Sequence, residues 1–197
     1  MDSLKTEKQW LRGEARAHRV RLAAAAPANA GELAAEHFLA AFAPGRGHVV
    51  SVYWPLPEEF DTRPLLVRLQ AAGCVVALPV VVGRGQPLVF RRWQPGETLA
   101  EGPLGLREPL PRAAQVVPQL VVAPLLACDG QGYRLGYGGG YYDRSLRALR
   151  ASARTSAVGY AFAGQRVERL PHGPNDEPLD ALAHEKGVEH FARIRQG

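Results

Sequence analysis

Residues 119–128, Gln-Leu-Val-Val-Ala-Pro-Leu-Leu-Ala-Cys, are apolar at consecutive positions rather than at alternate ones. A strand of that kind is covered on both faces, which puts it in the middle of a parallel sheet with helices above and below. Other runs support the same architecture. Residues 48–54 are β-branched and aromatic, 74–82 are apolar after Gly73, 88–93 follow a Gly-rich turn, and 155–162 read as a further strand. Helical patterns fall between them. Residues 3–26 lack an interior proline and are expected to form one long helix with Ser3 as its cap. Asn29 is placed to cap a helix over 31–42, Asp61 one running to residue 72, and 141–153 form a fourth. Strands alternating with helices predict an α/β fold, a single domain over 1–197 with three layers, α/β/α.

The chain of 197 residues carries no repeat or low-complexity tract, and residues 94–117, rich in proline and glycine, are expected to be a surface excursion. Its net charge of +5 suits acidic ligands, phosphates or nucleic acid. Cys74 and Cys128 stand far apart in apolar runs, which argues against a zinc site or a disulfide framework. The longest apolar runs contain a proline and fall well short of a membrane span, and no signal segment is evident, so a cytoplasmic protein is expected.

The stretch from Asp129 through Arg134, Leu135, Gly136, Tyr137, Gly138, Gly139, Gly140, Tyr141, Tyr142 and Asp143 to Arg144 follows the buried strand and opens a helix. Ligands of open α/β sheets bind at that kind of strand end. Clustered glycines let backbone N–H groups converge on an anion, and the helix terminus adds partial positive charge. The stretch is neither a dinucleotide fingerprint, since Tyr141 stands where its last glycine belongs, nor a P-loop, since no Gly-Lys-Ser/Thr is present. The plain alternative is a turn that serves only close helix–strand packing.

Lys5, Lys8, Arg12, Arg16 and Arg19 recur at helical spacing and form either a phosphate track or a solvated face. Their face lacks the interleaved aromatic residues that single-strand binders use. Trp54, Glu58, Glu59 and Asp61 end a strand, where carboxylates grip an amine- or amide-bearing ring or merely cap the next helix. Residues 170–180 hold Asp176 and Asp180 in a turn.

Lys8 with Leu11 and Arg12, Glu59, the 124–129 strand end, the Arg134-to-Arg144 loop and Asp176 follow one another in an order that resembles the 5-formyltetrahydrofolate cyclo-ligase family. The resemblance covers about residues 5–185, and its Gly-Tyr-Tyr-Asp core is the most specific part. It implies a fold similar to the sugar-phosphate isomerase and CoA-transferase group. It also implies ATP- and Mg²⁺-dependent closure of 5-formyltetrahydrofolate to 5,10-methenyltetrahydrofolate through a phosphorylated formyl group. The partners it implies are ATP and a reduced folate, with no nucleic acid and no membrane, and a monomer is expected.

On this resemblance Arg134, Tyr142 and Asp143 act at the reacting groups. Lys8, Arg12, Arg134 and the loop formed by Leu135, Gly136, Tyr137, Gly138, Gly139, Gly140 and Tyr141 hold ATP. Trp54, Glu59 and Tyr142 hold the folate, and Asp143 and Asp176 hold Mg²⁺. Tyr137 and Gly139 replace two basic residues of animal-type members, and Leu104 stands where members commonly have an aromatic. An ATP-dependent paralogue acting on another formamide or amide, and an RNA-binding protein using the basic helix, are the alternative readings.

Overall fold

The computed structural model describes residues 2–192. Its helices are α1 (Asp2–Ala25), α2 (Ala30–Phe42), α3 (Arg63–Ala71) and α4 (Tyr141–Ser152). Its strands are β1 (Val49–Ser51), β2 (Val75–Val80), β3 (Val89–Arg92), β4 (Leu99–Glu101), β5 (Arg107–Pro109), β6 (Leu120–Ala123), β7 (Ala127–Cys128), β8 (Arg134–Leu135), β9 (Ser156–Tyr160), β10 (Ala181–His184) and β11 (Gly187–His190). Seven of them make one sheet in the order β11-β10-β9-β6-β1-β2-β3, with β6 at its centre. The five strands β10, β9, β6, β1 and β2 run parallel, and antiparallel β11 and β3 close the two edges.

The strand period decides which layer each side chain joins. Val50, Val52, Val76, Leu78, Val122, Val158 and Tyr160 point to one face, where α2 and α3 cover them with Ala34, Ala35, Phe38, Leu65, Leu66 and Leu69. Ala77, Val121, Ala123, Ala157 and Leu182 point to the other face and meet Leu146 and Leu149 of α4. The expected three layers are present.

The long apolar run at 119–128 is not one strand. Proline offers no N–H to a ladder. The sheet strand therefore ends at Ala123, and beyond Pro124 the chain re-pairs as β7 with antiparallel β8, bringing Arg134 back over the sheet edge. Pro79 is tolerated inside β2 because its parallel pairing with β1 stops at Ala77. Residues 94–117 are less irregular than expected, since β4 and β5 pair there around a 3-10 turn at Pro103–Gly105. The side chain of Leu104 in that turn lies outside what the structure describes.

Helix termini differ slightly from the sequence reading. α1 begins at Asp2, so Ser3 lies inside its first turn, and Thr62 rather than Asp61 occupies the cap position of α3. Asp61 still accepts the Arg63 N–H at 3.0 Å. α1 lies across the carboxyl ends of the parallel strands. Its Leu11 and Ala15 pack on Ala127, Leu135, Val167 and Leu170, and Leu22 joins the cluster under α2 and α3.

Leu146 is fully buried and is the main apolar anchor of α4. Leu146→Ala should cost about 2–5 kcal/mol in denaturant unfolding, the range for a buried leucine that leaves a cavity.

Candidate active site at the carboxyl edge of the sheet

Four segments converge at the carboxyl ends of the strands: α1, the loop after β1, the run from β8 into α4, and the turn at 173–180. Each brings a charged group, and each charge finds a partner from another segment.

Lys8 Nζ lies 2.5 Å from Asp176 Oδ2, with 15% and 23% of the two side chains exposed. Arg12 Nε donates to the Gly136 carbonyl at 2.9 Å. Gly138 has φ +97°, a conformation that favours glycine, and a Cβ there would sit 3.1 Å from Arg12 Cζ, so the guanidinium packs closely on the loop. The Asp176 carboxylate also takes the Gly173 N–H at 2.7 Å, which closes its turn.

Arg134 donates through Nη2 to Asp143 Oδ1 and through Nη1 to the Glu177 carbonyl, both at 2.8 Å. The Glu177 N–H donates to the same Asp143 oxygen at 3.1 Å. Arg147 and Arg150 of α4 both reach the Glu177 carboxylate, which fastens the turn to the helix. Arg134 also lies 5.9 Å above the Tyr142 ring. Gly140 occupies the cap position of α4 in the left-handed region, and among the described residues no side chain caps the first helical N–H groups. Such a terminus is open to an anion. Arg144 beside it donates to the Gly139 carbonyl at 2.8 Å and covers the Tyr141 ring.

The third constellation centres on Glu59, whose side chain is 5% exposed. Its Oε2 accepts the Leu56 N–H at 2.9 Å and its Oε1 accepts the Tyr137 hydroxyl at 2.8 Å. Arg19, with 1% of its side chain exposed, donates to that hydroxyl at 2.7 Å and stands 3.6 Å from Glu58 and 3.8 Å from Glu59. Burial raises the Glu59 carboxyl above the usual range, against its two hydrogen bonds and Arg19, while neighbouring Glu58 adds to the rise. Burial, with Glu59 beside it, pushes the Tyr137 phenol up to about 12 despite Arg19. Burial and then Glu59 also raise Tyr142, which Arg134 opposes, so both phenols stay protonated at neutral pH. Trp54 stacks edge-on against Trp93 at 5.5 Å.

Lys8, Arg12, Glu59, Arg134, Tyr137, Tyr142, Asp143 and Asp176 are linked to one another across these four segments, whereas Trp54 packs on the apolar cluster under α2 and α3. Leu135 is buried beneath the site in the apolar cluster with Leu11, and its carbonyl accepts the Leu126 N–H at 2.7 Å within the β7–β8 pairing, so neither its side chain nor that carbonyl is offered to a ligand. Asp129 turns out to organise the turn itself, accepting the N–H groups of Gln131, Tyr133 and Leu170. Arg19, Glu177, Arg147 and Arg150 were not assigned to the site from sequence. Arg19 stood out only as one member of the basic stripe, and the spacing did not tell it apart from exposed Lys5 and Arg16. Among the described residues, no three His, Cys, Asp or Glu side chains are grouped as metal ligands.

A doubly covered, mainly parallel sheet with a basic helix, a Gly-rich loop and carboxylates at its carboxyl edge makes the chain an α/β protein of the kind whose ligands bind at that edge. The family model described as the 5-formyltetrahydrofolate cyclo-ligase family matches residues 4–185. The chain belongs to that family. It is 38% identical over 141 residues to the 5-formyltetrahydrofolate cyclo-ligase of Escherichia coli K12, spanning 68% of this chain and 76% of the relative. The Haemophilus influenzae cyclo-ligase is 30% identical over 178 residues, 88% of this chain and 95% of the relative. The Aquifex aeolicus 5,10-methenyltetrahydrofolate synthetase structure superposes with a TM-score of 0.74 at 29% identity, covering 96% of this chain and 94% of that one. The Mycoplasma pneumoniae synthetase shares the fold, with a TM-score of 0.69 at 19% identity over 91% of this chain and 99% of that one.

The raised Glu59 carboxyl has a consequence for stability. The folded chain holds this proton more tightly than the unfolded chain, so the group adds stability as pH falls through its folded value toward 4.5 and loses it as pH rises. Glu59→Gln should flatten the stability–pH slope in that window, where one proton accounts for at most about 1.4 kcal/mol per pH unit. Urea titrations across the pH series measure it.

Proposed function

We propose that this chain closes 5-formyltetrahydrofolate to 5,10-methenyltetrahydrofolate at the expense of ATP, releasing ADP and phosphate. The observation that carries this reading is the direct meeting of the Gly-rich loop with the buried carboxylate Glu59, through Tyr137, in a chain of the cyclo-ligase family. One site then serves both a phosphate donor and an amine-bearing ring.

A formamide oxygen leaves poorly from carbon, so it must first be made a good leaving group. The formyl oxygen attacks the γ-phosphorus of ATP and ADP departs. The neighbouring folate nitrogen then attacks the formyl carbon, its proton is lost, and the carbon–oxygen bond breaks to release phosphate. Phosphoryl transfer of this kind needs positioning and charge neutralisation more than covalent help from the protein. Lys8, Arg12 and Arg134 supply positive charge, and the 136–140 backbone with the uncapped start of α4 supplies N–H donors. Trp54, Tyr142 and Glu59 hold the folate, with Glu59 accepting N–H groups of the pterin ring.

The donor set suits Mg²⁺, which is usually held by one or two carboxylates plus substrate phosphates. Asp143 and Asp176 supply hard oxygens, and both described bonds to Asp143 end on its Oδ1. When bound, Mg²⁺ neutralises phosphate charge. The expected compartment is the cytoplasm, where buried and unpaired Cys74 and Cys128 stay reduced, and the whole chain acts as one catalytic domain and as a monomer.

Purified protein mixed with Mg²⁺-ATP and 5-formyltetrahydrofolate should give the near-ultraviolet absorbance of the methenyl product together with ADP. Glu59→Ala should lower that turnover by about 10²-fold or more, as loss of substrate positioning does. Asp143→Ala should remove the dependence of the remaining rate on Mg²⁺. Turnover by Glu59→Ala at the native rate would remove Glu59 from its assigned role.

A further inference from the structure

The two halves of the site are joined by one hydroxyl. Tyr137 lies inside the Gly-rich run, yet its side chain leaves that loop and bonds to the loop after β1. The phenol accepts from Arg19 Nη1 at 2.7 Å and donates to Glu59 Oε1 at 2.8 Å. Both of its hydrogen-bonding capacities therefore have a fixed direction. Glu59 is held on its other oxygen by the Leu56 N–H. On the far side of the loop, Arg12 grips the Gly136 carbonyl. Arg12 and Arg19 belong to the same helix, two turns apart, so the backbone at 136 and the side chain at 137 are both referenced to α1.

Resting on the cyclo-ligase reading, we propose that Tyr137 is a positioning residue that couples the two substrate sites, so that folate held by Glu59 sets the phosphate loop and nucleotide in the loop sets Glu59. N–H donors of a ring reaching Glu59 favour its ionised form and hold it in place. A fixed, charged carboxylate strengthens the phenol hydrogen bond, because charge-assisted bonds are about twice as strong as neutral ones. The phenol in turn restrains the 136–140 backbone. Coupling of this kind is reciprocal, and each ligand tightens the other by the same factor. The ring of Tyr137 also lies under the guanidinium groups of Arg16 and Arg19, at 5.7 and 5.5 Å. Phenylalanine keeps that packing and loses only the hydroxyl, which separates the two roles.

The test titrates the full chain with a non-hydrolysable ATP analogue and Mg²⁺, with and without saturating 5-formyltetrahydrofolate, by calorimetry. In the native chain, folate should tighten the analogue by about fivefold or more, at the lower end of ordinary coupling. In Tyr137→Phe the ratio of the two affinities should fall to about one. Glu59→Asp, which draws the carboxylate back by one methylene with Tyr137 in place, should collapse the ratio in the same way and keeps the test decisive if Tyr137→Phe fails to fold. A native ratio of one, or a native ratio retained in the variants, overturns the coupling. A native chain that binds the analogue but never binds 5-formyltetrahydrofolate overturns the cyclo-ligase reading and the coupling with it. When both ligands bind and only the ratio resists substitution, the coupling alone fails.

Discussion

Arg19 leaves α1 with its side chain almost wholly out of water and meets the Tyr137 hydroxyl, Glu58 and Glu59. A guanidinium moved from water into a protein costs several kcal/mol unless acceptors and countercharges go with it. The loop after β1 and the Gly-rich loop must therefore come to α1 together, or the cation is stranded. Among the described residues its Nε has no hydrogen-bond partner, which makes the two carboxylates and the phenol the more necessary. The same cation opposes the desolvation that raises Glu59, so the electrostatics of this buried carboxylate and the seating of the first helix have a common origin.

What α1 covers is dictated by the sheet. Five parallel strands end at one edge, the edge at which ligands of open α/β sheets bind. The β7–β8 hairpin raises Arg134 over that edge, and its bonds to Asp143 and the Glu177 carbonyl tie α4 to the 173–180 turn. Lys8 with Asp176 then ties the turn to α1. Cations that serve phosphates in the proposed reaction are thus also the fasteners of the unliganded site.

Much of this was legible in the residues. The doubly apolar run at 119–128 marked the central strand correctly, and the alternation of helical and strand periods predicted the three layers. The Gly-rich loop was found because backbone freedom at a strand-to-helix junction leaves a compositional trace. Other features leave none. Pro124 sat in plain view, but only tertiary pairing with β8 turns the rest of the run back as β7. The basic stripe had helical spacing, yet Lys8, Arg12 and Arg19 turn inward, Arg16 lies over the Tyr137 ring at the surface and Lys5 stays in solvent, because the direction of a helix face is set by what it packs on. The joining of Tyr137 to Glu59 spans 78 residues of sequence, beyond the reach of any local pattern.

The central claim is that the formyl oxygen itself takes the phosphoryl group at this site. Turnover of 5-formyltetrahydrofolate labelled with oxygen-18 in the formyl group, followed by mass spectrometry of the released phosphate, tests it directly. Direct transfer should leave one labelled oxygen in each phosphate formed and none in the water. Unlabelled phosphate, with the heavy oxygen recovered in water, would contradict it.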